Sequence, residues 1–167
     1  MKEEDTKKEL IKYLHRVMVK YTHQNFKELS AYQIYNILKL RSEVFIIEQN
    51  CIYQDLDEKD LQAVHVLVKE KEQLIGYSRI LKKGVSYQKY SSIGRVVVKK
   101  EKRKKAIGIK LMEFSIKTCK DLHPNEVIKI SAQTYLKKFY EKQGFIKKGE
   151  NYMEDGIPHC AMYLEEY

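Results

Sequence analysis

Five lysines and an arginine crowd residues 99–105, as Lys99, Lys100, Lys102, Arg103, Lys104 and Lys105, and Gly108 follows closely. Ahead of them runs Ile93-Gly94-Arg95-Val96-Val97-Val98, an apolar strand pattern. Behind them, residues 108–122 carry Leu111, Met112, Ser115, Cys119 and Leu122 on one helical arc. A strand, a basic turn and a helix start, in that order, make an anion site. The first N–H groups of a helix have no intrahelical partner, its dipole points its positive end there, and the cations add attraction. A pyrophosphate suits that cradle. The pattern GxxxxGK[ST] is absent, which argues against phosphoryl transfer.

A second group of polar residues sits where apolar ones belong. Ser30 and Gln33 have capping-box spacing and predict a helix over 31–48. At about 100° per residue, Ile34, Ile37, Leu38, Val44 and Phe45 share one face, and Arg41 and Glu48 fall inside it. Each needs an ion partner or a wet cleft. Arg79 and Arg95 lie on strand faces with Tyr77 or Val97, where they either bind an acceptor carboxylate or pair with Glu48. His65 shares a face with Leu67, and His159, beside a Gly-Ile-Pro turn, is expected in solvent. Asp55, Asp57, Glu58 and Asp60 lack the glycine and terminal glutamate spacing of a calcium loop, so they read as a solvated acidic loop and no metal is expected.

The elements that must position these groups are set by periodicity. Strands are expected at 18–21, 64–68, 74–81, 93–98, 127–131, from 145 and at 161–164, and helices at 31–48, 108–122 and 136–143. Gly144 suits a helix C-terminus and Asp155-Gly156 a hairpin turn. The class is therefore α/β of the α+β type: one domain with a mostly antiparallel mixed sheet flanked by helices. The 167 residues suffice for one core, and 33% charged against 43% hydrophobic indicates a globular chain. Residues 1–16 read as a charged extension and 17–167 as the domain. No apolar stretch reaches the roughly 18 residues of a membrane span, and the first residues lack the apolar core of a signal peptide. Cys51, Cys119 and Cys160 are too scattered and too few for a disulfide framework, and with these signs point to the cytoplasm.

The blocks resemble a known family. Val98, Arg103, Ala106 and Gly108, spaced V-x4-R-x-x-A-x-G, look like the acyl-CoA motif of the GNAT superfamily of N-acetyltransferases, whose core reads Q/R-x-x-G-x-G/A. The resemblance implies that Arg103, Lys104, Lys105, Ala106, Ile107, Gly108 and Ile109 cradle the CoA pyrophosphate. It implies too that Val96, Val97 and Val98, on a strand splayed by a bulge, hold the pantetheine and polarise the thioester carbonyl. Ala106 departs from the pattern: its methyl group opposes positive φ and crowds the phosphate. Phe139-Tyr140 followed by Gly144-Phe145 is similar to the family's FYxxxGF element, in which the tyrosine protonates the departing thiolate. Residues 40–51 and 53–57, together with 77–81, 93–96 and 154–159, resemble the ElaA-like branch.

Acetylation of an amine needs a neutral nucleophile, a polarised carbonyl, alignment and a proton for the thiolate. Tyr140 is the expected acid. Glu48, Glu43, His65 and His159 are the candidate bases, with a water chain as an alternative, and Glu48 is counted with Tyr140 among the catalytic residues. Arg41, His65, Arg79, Arg95 and His159 are the expected acceptor-binding residues. Acetyl-CoA is the co-substrate, a small amine the partner, and a homodimer stays open. The net charge of +9 and the basic run at 99–105 also raise a nucleic-acid-binding module, and Ala106 keeps a non-catalytic CoA-binding protein open. Aromatic residues are not interleaved with the lysines, which disfavours nucleic acid.

Overall fold

The computed structural model describes residues 19–165. The charged segment 1–16 and Met18 lie outside them. Seven strands form one sheet: β1 (Val19–Asn25), β2 (Val64–Glu70), β3 (Gln73–Leu81), β4 (Ser91–Val98), β5 (Ile128–Gln133), β6 (Ile146–Glu154) and β7 (Ile157–Leu164). Their spatial order is β1-β2-β3-β4-β5-β7-β6, antiparallel throughout except for the parallel contact of β4 with β5. The expected class is the observed one.

Alternation along the central strands sends side chains into two cores. Val66, Val68, Ile75, Ile93, Ile128 and Ile130 meet Leu111, Met112 and Cys119 of helix α2 (Ile107–Leu122) on one face. Leu67, Tyr77 and Val97 meet Ile37, Leu40 and Val44 on the other. Those three belong to helix α1 (Ala31–Arg41) and its continuation Ser42–Glu48. Helix α3 (Lys137–Glu141) is shorter than the expected 136–143, and the turn after it closes at Gly144, whose φ of 90° suits only glycine well. Asp155 and Gly156, at φ 47° and 77°, make the two-residue turn between β6 and β7.

The α1 region differs from expectation in one respect that matters for the site. The capping box is present, with the Gln33 N–H donating to Ser30 Oγ at 3.2 Å and the Ser30 N–H to Gln33 Oε1 at 2.9 Å. From Ser42 to Glu48, however, the winding is that of a π-helix. Wider turns break the seven-residue return of an α-helix to the same face. Arg41 is therefore fully buried while Glu48, seven residues on, is turned to the surface.

Candidate active site

β4 and β5 pair only at Ser91 with Ile128 and Ser92 with Lys129. Beyond that point the strands diverge, and a cleft of about 1070 Å³ opens between them. Arg79 lies opposite Gly94 and Tyr77 opposite Val97, so Arg95 and Val96 together oppose Ser78. This is a β-bulge, and its extra residue, Arg95, has φ 52°. Val96, Val97 and Val98, just past the bulge, all line the cleft.

The basic turn closes one end. Ala106 is the N-cap of α2 at φ 57°, ψ 7°. The methyl group thus does not prevent the left-handed conformation; it adds a cost of roughly 1–2 kcal/mol that the surrounding turn carries. The first bond of the α2 ladder runs from Lys110 N–H to Ala106 O at 3.0 Å, and no side chain caps the helix. The N–H groups of Ile107, Gly108 and Ile109 are left without ladder partners, and a left-handed residue followed by a helical one forms a concave anion nest. The Ile107 side chain itself is in the core. Lys104 and Lys105 are exposed and in no ion pair among the described residues. Arg103 and Gly108 line the cleft.

Arg103 Nε donates to Val98 O at 3.0 Å, and its two terminal nitrogens reach Glu48 at 2.5 and 3.0 Å. That hydrogen bond to Arg103 holds the Glu48 carboxyl below its ordinary pKa. Glu48 lines the cleft, but as the partner of the cradle arginine it is a weakened base.

At the other wall stands Tyr140 of α3. Phe139 and Phe145 pack edge-on against its ring, with centroids 5.0 and 6.0 Å away. Its burial raises the phenol pKa, keeping the proton on. Tyr140 lines the cleft, and no group among the described residues hydrogen-bonds its hydroxyl.

The three arginine candidates, Arg41, Arg79 and Arg95, form one ion network with the acidic loop. Arg41, with no exposed surface, binds Asp55 and Asp60 at 2.8 Å each. Arg79 binds Asp57 at 2.6 and 2.8 Å and Asp60 at 2.9 Å. Arg95 binds Asp55 at 2.7 Å. Three guanidinium groups thus face three carboxylates. The acidic loop is not solvated: Asp55 and Asp60 are buried, and only Glu58 of the four acids is exposed. Burial pushes the Asp57 pKa up, but the Arg79 hydrogen bonds outweigh it and bring the carboxyl down to about 2. Arg41 lies outside the cleft lining. Arg79 and Arg95 do line it, yet their charge is already matched.

His65 is likewise outside the cleft lining. One ring nitrogen faces the Asp60 carbonyl at 2.9 Å, so Nε2 carries the proton and Nδ1 accepts from the Tyr77 hydroxyl at 2.8 Å. Burial lowers its pKa from 6.5. A lowered histidine pKa means that the unfolded chain binds the extra proton first, so stability present above about pH 6.5 is lost as the pH falls through the folded-state value. Chemical denaturation should show stability falling between pH 7 and 5.5, and His65→Gln should flatten that slope. An unchanged slope in the variant would assign the loss to other groups.

His159 is not in solvent as expected; it is buried to 9% exposure on the cleft wall. Its Nδ1 donates to Ile157 O at 2.8 Å, Nε2 has no hydrogen-bond partner among the described residues, and its ring stacks on Tyr152 at 6.2 Å. The same wall holds residues that sequence reasoning missed. Ser131 Oγ lies 2.6 Å from the Tyr152 hydroxyl and 2.5 Å from Glu154. Gln133 donates to Gln49 at 3.1 Å across the cleft. Strand alternation was the available signal: Ile128, Ile130 and Ala132 are buried, while Lys129, Ser131 and Gln133 point the other way.

A mixed sheet opened between two parallel strands, with a basic helix N-terminus at the opening, is the architecture of the GNAT fold. The family model described as "Acetyltransferase (GNAT) domain" matches residues 13–166, and the chain belongs to that family. Protein ElaA of Escherichia coli (strain K12) is 39% identical over 150 residues, which are 89% of this chain and 97% of ElaA. The crystal structure of Escherichia coli ElaA superposes with a TM-score of 0.83 over 89% of this chain and 100% of that one. An acyl-CoA N-acyltransferase from Pseudomonas aeruginosa, 34% identical, gives 0.80 over 86% and 98%. Membership in the family implies acyl transfer from CoA.

Proposed function

We propose that this chain transfers an acetyl group from acetyl-CoA to the primary amine of a small acceptor, directly, within a ternary complex. One observation carries the proposal. A single cleft joins the uncapped, basic N-terminus of α2 to the bulged backbone of β4 and to a tyrosine hydroxyl with no described protein partner. Acetyl-CoA supplies an activated thioester. The free N–H groups of Ile107, Gly108 and Ile109, with Arg103, Lys104 and Lys105 beside them, fit its pyrophosphate in charge and geometry. Backbone at Val96, Val97 and Val98 aligns the pantetheine arm and polarises the carbonyl. Tyr140, kept protonated by burial, gives its proton to the leaving thiolate.

For the base we favour His159 over Glu48, because Nδ1 of His159 is engaged with Ile157 O, which leaves Nε2 as the ring nitrogen without a described protein partner, whereas Glu48 is held by Arg103. Glu48 then acts by orienting Arg103. The three free, buried thiols support a reducing compartment, the cytoplasm. Free-thiol release from acetyl-CoA across amino acids, polyamines, aminoglycosides and peptide lysines tests the reading. Release dependent on one class of amine supports it. In that assay His159→Gln should cost roughly 10²- to 10⁴-fold in turnover, whereas Glu48→Gln should chiefly change the KM for acetyl-CoA. The reverse pattern would return the base to Glu48. Tight acetyl-CoA binding with no release on any amine would favour a non-catalytic CoA-binding role.

A further inference from the structure

We propose that Asp55 and Arg95 form a clamp that holds the β4 bulge open, which makes both of them positioning residues for the thioester carbonyl. The assignment of the carbonyl rests on the acyl-CoA reading above; the clamp itself does not.

Arg95 is the left-handed residue of the bulge, at φ 52°. Side-chain-bearing residues avoid that region, and arginine has none of the local hydrogen bonding that lets Asn or Asp occupy it. Nothing in the residue itself selects the conformation. Its side chain does: Nε donates to Asp55 Oδ1 at 2.7 Å and Nη2 to the Asp55 carbonyl at 3.2 Å. Asp55 lies forty positions earlier and is fixed from behind. Arg41 donates to Asp55 Oδ2 at 2.8 Å and to its carbonyl at 3.0 Å, and the Tyr53 hydroxyl donates to Oδ1 at 3.0 Å. Arg41 is anchored in turn, without exposed surface, at the end of α1. The guanidinium of Arg95 is thus tied through Asp55 to the helix that packs over β3 and β4.

The tie matters for the residues next along the strand. Val97 is 3% exposed, in the core with Leu67 and Tyr77. If Arg95 returned to extended geometry, the bulge would close, and a one-residue change of register moves each later side chain to the opposite face. Val96, Val97 and Val98, the cleft-lining backbone, would then be re-aimed. The clamp sets the direction of backbone N–H groups without touching the acyl donor.

Two substitutions at one position separate conformation from contact. Arg95→Ala and Arg95→Gly both delete the guanidinium, but only glycine adopts positive φ at little cost. Crystal structures should show two residues opposite Ser78 in Arg95→Gly and a closed bulge in Arg95→Ala. Turnover should fall roughly 10²-fold in Arg95→Ala, the scale of a misplacement near 1 Å, with little change in the KM for acetyl-CoA. Arg95→Gly should recover a large part of that loss. Should Arg95→Ala fail to fold, Arg95→Met serves in its place: it keeps the apolar stem but none of the donors to Asp55, and its bulge should close. A bulge that stays open in Arg95→Ala or in Arg95→Met overturns the clamp. So does equal loss in the alanine and glycine variants expressed as a raised KM for the acceptor, which would make Arg95 an acceptor contact. If the parent transfers no acetyl group at all, the acyl-CoA reading fails, while the crystal structures still decide the clamp.

Discussion

Replacing Tyr140 by Phe should lower turnover by roughly 10- to 10⁴-fold, the range for losing one acid catalyst, while leaving the fold and acetyl-CoA affinity nearly intact. The ring is held by Phe139 and Phe145 and stays in place without its hydroxyl. No protein hydrogen bond among the described residues is lost with the oxygen, so no buried partner is orphaned. The deficit should be largest when thiolate departure limits the rate and smaller when product release does. Rapid-mixing measurement of the first turnover separates these cases. An unaltered first-turnover rate would remove Tyr140 from the chemistry and leave it as packing.

The largest stability effect is expected at Arg41. Arg41→Met keeps the length and apolar stem of the side chain but removes a charge shared by Asp55 and Asp60, both buried. Each aspartate retains one other arginine, so the network carries one uncompensated negative charge. Breaking a buried ion pair from one side typically costs about 3–5 kcal/mol. For a chain of this size that corresponds to a drop of about 10 °C in the unfolding midpoint. Urea denaturation reads it directly. A loss below about 1 kcal/mol would mean that water reaches the network and screens it.

Features written over a few adjacent residues were legible in the sequence. The basic turn before Gly108, the capping box at Ser30 and Gln33, and the Asp155-Gly156 hairpin depend on near neighbours, and each is found where the pattern puts it. Features that depend on distant partners were not. The acids at 55–60 look solvated until Arg41, Arg79 and Arg95 are brought onto them by the packing of α1, β3 and β4. Glu48 shares the apolar stripe only under α-helical geometry, and no residue pattern signals the change to π winding after Arg41. His159 sits next to a turn in sequence, yet the strand pairing of β7 with β5 and β6 places it on the cleft wall.

The central claim is that the cleft between β4 and β5 receives an acyl-CoA. Calorimetric titration of acetyl-CoA into the full chain tests it most directly, with CoA and duplex DNA titrated in parallel. The expected result is saturable binding of one acetyl-CoA per chain, lost or strongly weakened in Arg103→Glu, which reverses the charge beside the free α2 amides. Saturable DNA binding, with no heat from acetyl-CoA or CoA, would contradict the account.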